Sequence, residues 1–102
     1  MTTRIKIGLI GLGTVGSGVV ELLRDDPRFQ IRRIAVRDLN RQRTVDLTGL
    51  RVTSDPFELV SDPEIDVLIE VAGGLSPARE LVTAAIRSGK HVVTANKALI
   101  AT

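Results

Sequence analysis

A chain of 102 residues, 43% hydrophobic and 25% charged, has the material for one soluble globular domain around a single core and not for two. It contains no cysteine, which excludes disulfides, thiolate metal sites and a cysteine nucleophile, and its 14 basic and 12 acidic side chains leave a net charge of only +2. Arg24, Arg28, Arg32, Arg33, Arg37, Arg41, Arg43 and Arg51 do cluster, but with two Phe and neither Tyr nor Trp to stack on bases they read as a solvated face, and no nucleic-acid partner is expected.

The first predicted element is a strand over Arg4 to Ile10, nearly continuous in apolar character, as befits a central parallel strand covered on both faces. It runs into Gly11-Leu12-Gly13-Thr14-Val15-Gly16, the G-x-G-x-x-G spacing of a dinucleotide-binding turn. Gly11 serves the tight turn, Gly13 leaves room for a pyrophosphate to approach the backbone, and Gly16 lets the next helix pack close to the sheet. That helix is predicted over Thr14 to Arg24, with Val15, Val19, Leu22 and Leu23 as its buried stripe, and Asp25-Asp26-Pro27 ends it. Its N-terminal amides and dipole suit an anion.

A second strand follows over Gln30 to Val36, where Arg32 and Arg33 suggest a nearby sheet edge. The residues just past such a strand meet the adenosine ribose: an acid binds the 2′-hydroxyl, an arginine the 2′-phosphate. Arg37-Asp38, with Arg41 and Arg43 beyond, leaves both open and tilts the expectation to NADP over NAD. A short helix over Arg41 to Leu47 stopped by Gly49, a short third strand over Leu50 to Thr53, and one helical turn packing Phe57, Leu59 and Val60 before Asp62-Pro63 complete the middle of the chain.

Asp66 to Val71 reads as a buried parallel strand with Ala72-Gly73-Gly74 at its carboxyl end, where open α/β sheets bind ligands and bare backbone would receive a nicotinamide ribose. Glu70 within that strand needs a partner or an outward position, and is read as structural ahead of ligand-facing. Ser76-Pro77 starts a helix with Ala78, Val82, Ala85 and Ile86 on its inner face and Gly89 at its end. His91 to Thr94 is a fifth strand; His91 is the sole histidine, and no metal site is expected around it. Asn96 then caps a helix that has only begun when the sequence stops, so the expectation is the front portion of a longer protein. The N-terminal MTTRIKIGLIG lacks the apolar core of a secretory signal, and no apolar run nears the ~18 residues of a membrane span. A cytoplasmic protein without a membrane partner is expected.

Together these elements predict an α/β, Rossmann-type doubly wound parallel sheet of about five strands in the order 3-2-1-4-5, with residues 1–102 as one dinucleotide-binding domain. The segments GLGTVGSGVVELL, AVRDLNRQR, DVLIEVAGG and GKHVVTANKALIA resemble the nucleotide-binding domain of homoserine dehydrogenase over essentially the whole chain, the last being the most specific. The resemblance implies an oxidoreductase of amino-acid biosynthesis, towards threonine and methionine, that interconverts aspartate 4-semialdehyde and homoserine with NAD(P)H. It implies that Gly11, Gly13, Thr14, Val15 and Gly16 hold the pyrophosphate, that Arg37 meets the adenosine ribose or its phosphate, and that Ala72, Gly73, Gly74, Thr94 and Lys97 lie at the nicotinamide end. Lys97 is the implied catalytic residue, bonding a ribose hydroxyl or stabilising the alkoxide formed as hydride reaches the aldehyde.

The family's substrate domain is absent from these residues, so the small-molecule substrate is expected to bind only with that domain. The 102 residues alone are expected to bind nucleotide weakly and not to turn over. Two alternatives stand beside this reading: a free-standing module that senses NAD(P)(H) or AMP-like ligands, and another semialdehyde or aspartate-type dehydrogenase. The unpaired outer edge of the last strand also suggests a homo-oligomer.

Overall fold

A computed structural model describes residues 4–40, 45–72 and 78–95. Five parallel strands form one sheet in the order β3-β2-β1-β4-β5, as the alternation of apolar runs and helical segments predicts. They are β1 (Ile5–Ile10), β2 (Phe29–Ala35), β3 (Val52–Thr53), β4 (Val67–Glu70) and β5 (His91–Thr94). Three helices connect them: α1 (Thr14–Leu23), α2 (Phe57–Ser61) and α3 (Ala78–Arg87).

Each sheet face is covered by its own apolar cluster. Leu9, Ile31, Ile34 and Val36 pack with Val20, Val19 and Leu23 of α1 on one face. Ile10, Ala35 and Leu68 pack with Leu59 and Val60 of α2 and Leu81, Ala84 and Ala85 of α3 on the other. Burial on both faces is why β1 and β4 read as continuous apolar runs, since neither face can be polar without a partner.

Both long helices are rotated from the expected stripe. In α1 the buried residues are Gly16 and Val20, while Val15 and Leu22 face solvent. The true face, Gly16-Val19-Val20-Leu23, follows i, i+3, i+4, i+7, but its first member has no side chain to announce it. In α3 the core-facing residues are Leu81, Ala84 and Ala85, and Ile86 is exposed. Phe57 likewise stands exposed while Leu59 and Val60 are buried. Gly89 takes a φ of +82 just past α3, as a helix stop requires.

The helix expected over Arg41 to Leu47 is not formed at 45–47; Arg41 and Arg43 lie outside the described residues. Asp46 instead accepts hydrogen bonds from the Thr48 N–H and hydroxyl, a local side-chain turn that competes with helix. The Arg24 guanidinium, donating to the Asp46 and Thr48 carbonyls, ties this segment to the end of α1. β3 is shorter than expected and pairs only with Ile34 and Ala35, so β2 is locally an edge at Arg32 and Arg33.

Among the described residues, Asp62 and Glu70 are the two buried polar side chains. Asp62 lies before β4, near the amino end of the sheet, where Arg32 Nε and Arg33 Nε both donate to its Oδ2, at 2.7 and 2.8 Å. Successive strand residues ordinarily point to opposite faces. A register shift opposite Ile7 and Gly8 makes β2 bulge there, and both guanidinium groups reach one carboxylate. Burial pushes the Asp62 carboxyl up, yet the hydrogen bonds from Arg33, the Glu64 amide and Arg32 outweigh it and hold it at about 2.

Candidate functional site

The strand order places a switch point between β1 and β4: from β1 the chain first builds outward through β2 and β3, then returns to the other side. Ligands of open α/β sheets bind at the carboxyl ends of the strands at such a point. An opening of about 350 Å³ lies there, lined by Gly11, Leu12, Gly13, Val36, Arg37, Asp38, Val71 and Ala72. Four of the residues predicted from the sequence, Gly11, Gly13, Arg37 and Ala72, are thus brought together from the ends of β1, β2 and β4.

The three glycines do different work. Gly11 has φ +102, and a Cβ there would stand 2.8 Å from the Ala72 main chain, so neither its conformation nor its surroundings admit a side chain. Its N–H donates to the Ala35 carbonyl at 2.9 Å, so its contribution to a ligand is shape rather than a hydrogen bond. Gly16 is buried beneath the turn, where a Cβ would meet the Gly11 carbonyl oxygen. Gly13 is the converse: nothing lies within 4 Å of its ideal Cβ, and the space above it is open to a ligand.

Gly13 is also the N-cap of α1 and gives that helix no side-chain cap. The first N–H groups of a helix have no carbonyl one turn earlier, so those of the first turn, which holds Thr14, Val15 and Gly16, are offered to an anion. Thr14 and Val15 are exposed beside the opening without lining it.

Arg37 and Asp38 are both exposed and both line the opening, so the pair that left the coenzyme open in the sequence meets one space in the structure. Asp38 Oδ1 accepts the Asn40 N–H at 2.9 Å, which orients the carboxylate along its own loop. Glu70 is fully buried and does not line the opening; its oxygens accept from the Ala72 N–H and the Thr94 hydroxyl. Thr94 ends β5, half-buried. Gly73, Gly74 and Lys97 lie outside the described residues.

Leu12, Val36 and Val71 are lining residues that sequence reasoning did not single out; each flanks a strand end, and that position was the available signal. No described helix is long and apolar enough to cross a membrane.

Comparison with known proteins agrees with this geometry. Residues 11–102 match the sequence model of the family described as homoserine dehydrogenase, NAD binding domain. The homoserine dehydrogenase of Synechocystis sp. is 46% identical over 95% of this chain and 24% of its own length. That of Bacillus subtilis is 42% identical with the same shares. Among solved structures, a homoserine dehydrogenase from Thiobacillus denitrificans is 47% identical, with a TM-score of 0.87 over 97% of this chain and 25% of that one. The chain therefore spans about a quarter of the length of the relatives it matches.

Proposed function

The chain belongs to the family of homoserine dehydrogenase NAD-binding domains, and on that premise we propose that it is the coenzyme-binding part of an enzyme interconverting aspartate 4-semialdehyde and homoserine by hydride transfer. The carrying observation is the open space above Gly13 at the uncapped start of α1. A cradle that a Cβ would fill, lined by main chain, fits a diphosphate. Gly13 leaves the approach clear, the amides of Thr14, Val15 and Gly16 bind the diphosphate oxygens, and Gly11 sets the turn that aims them. Arg37 takes the adenosine ribose, and its guanidinium favours NADP by pairing with a 2′-phosphate.

Bound at this edge of the sheet, the nicotinamide supplies the hydride. Ala72, Gly73, Gly74 and Thr94 are the residues assigned to the nicotinamide end. Lys97, three residues beyond Thr94 in the sequence, holds the substrate's carbonyl oxygen and neutralises the charge that develops on it. Orientation of the substrate belongs to chain beyond these residues, and the protein works in the cytoplasm, where its substrate and coenzyme are dissolved. Two copies associate through the outer edge of β5, the last strand of the described sheet.

Titration with NADPH, NADH and AMP tests the reading, together with turnover of aspartate 4-semialdehyde by the natural protein that carries this chain. Dinucleotide binding tighter than AMP, NADPH ahead of NADH, and turnover are expected; residues 1–102 alone are expected to bind weakly and not turn over. Tight AMP binding with no preference for a nicotinamide would instead identify a sensing module.

A further inference from the structure

Glu70 poses a question that packing does not answer. It sits in β4 between the last residues of two neighbours, paired with Ile10 of β1 and Thr94 of β5. Its relative exposure is 0%. An apolar side chain would fill such a place without the desolvation that a carboxyl group carries. Among the described residues its partners are not cations, as they are for Asp62, but a main-chain N–H and a hydroxyl: Ala72 N donates to Oε1 at 3.0 Å and Thr94 Oγ1 to Oε2 at 3.1 Å.

Both partners belong to the site end of the sheet. Ala72 lines the opening and its main chain packs against Gly11. Thr94 closes β5, and the Ala95 N–H donates to the Glu70 carbonyl at 3.1 Å. One residue thus fixes, by side chain and main chain, where two neighbouring strands release the chain.

We infer that Glu70 is a positioning residue for the nicotinamide half of the dinucleotide, holding Ala72 and Thr94 in register so that the carboxyl ends of β4 and β5 meet the coenzyme together. The inference rests on the proposed function. Glu70 need not touch the ligand; it sets the two termini between which the ligand's reacting half lies, whereas the adenosine half depends on Gly13, α1 and Arg37.

The test uses the natural protein that carries this chain, titrated with whole dinucleotides (NADPH, NADH) and with the adenosine halves alone (2′,5′-ADP, ADP). Glu70→Met fills the volume and removes both acceptors. It is expected to weaken the better dinucleotide about tenfold while the matching adenosine half binds within about twofold of the parent, and to leave the thermal midpoint unchanged or raised. Glu70→Gln accepts from Ala72 N through its carbonyl and donates to Thr94 Oγ1 through its amide, and is expected to stay within about threefold of the parent. Thr94→Val removes one donor, and in the double variant with Glu70→Met its loss is expected not to add. Should Glu70→Met fail to fold, Thr94→Val must show the same split between whole and half ligands. Equal loss for both ligands, loss for neither, or full additivity overturns the inference and leaves the functional reading standing. A parent that binds neither dinucleotide overturns both.

Discussion

The two ends of the sheet solve the same problem, a buried carboxylate, in opposite ways. Near the amino end Asp62 is met by two guanidinium groups, by the Glu64 amide at 3.0 Å, and at its carbonyl by Lys90 Nζ at 2.7 Å. Arg32 also pairs with Glu64 at 2.7 Å. At the carboxyl end Glu70 is met only by neutral donors among the bonds described, a main-chain N–H and a hydroxyl. The amino end is cross-linked by charge and the carboxyl end keeps its cation, Arg37, facing solvent. The buried, cross-linked charges and the exposed one are thereby separated by the length of a strand.

The largest effect that would sharpen this contrast is Gly16→Ala. A methyl there enters the Gly11 carbonyl oxygen, so α1 must move off the sheet, and a loss of about 3 kcal/mol in unfolding free energy by urea titration is expected together with loss of dinucleotide binding. Next, Asp62→Ala strips the amino end of its acceptor and is expected to cost about 2 kcal/mol of stability while dinucleotide affinity stays unchanged. A change in affinity there would break the separation of the two ends. Gly13→Ala is the mirror image: with open space around its Cβ the fold is expected to hold within about 0.5 kcal/mol, while calorimetric affinity for the dinucleotide drops about tenfold because the methyl occupies the diphosphate's approach.

The smallest effect is an acid limb. Asp62 is held at about 2, and Asp26, through its hydrogen bonds and charge pairing with Arg28, also at about 2, against 3.8 for an unperturbed aspartate. A depressed carboxylate stabilises fully above its unfolded value and progressively less below it. Thermal midpoints are therefore expected to be flat above pH 4 and to fall from there towards pH 2, with a shallower fall in Asp62→Ala. An equal fall in parent and variant would remove Asp62 from the account.

What the sequence made legible follows from where information is local. The strand order, the glycine turn and the helix stop at Gly89 were readable because backbone conformation at those positions admits few residue types. The inner faces of α1 and α3 were legible only in part: Val19, Leu23 and Ala85 pack inward as expected, whereas Val15, Leu22 and Ile86 face solvent. Val15, Val19, Leu22 and Leu23 outnumber the true stripe in apolar atoms, and close packing at Gly16 is invisible to any scale that counts side chains. The helix expected near Leu47 lost to a local turn at Asp46, and the side-chain partners of Asp62 and Glu70 (Arg32, Arg33 and Thr94) lie 24 to 30 positions away, beyond any periodicity. Arg32 and Arg33 did mark an edge, but the bulge that lets both serve one carboxylate is a property of pairing, not of composition.

The start of α1 offers a ligand main-chain N–H groups and no side-chain cap. Peptide amides neither ionise in the range of cellular acidity nor react with thiol, amine or carboxylate reagents, so a grip made of them should hold alike in acid-stressed, alkaline or oxidised cells. Inheritance meets the same asymmetry: at Gly11, Gly13 and Gly16 there is no functional atom to delete, and every coding change there can only add one.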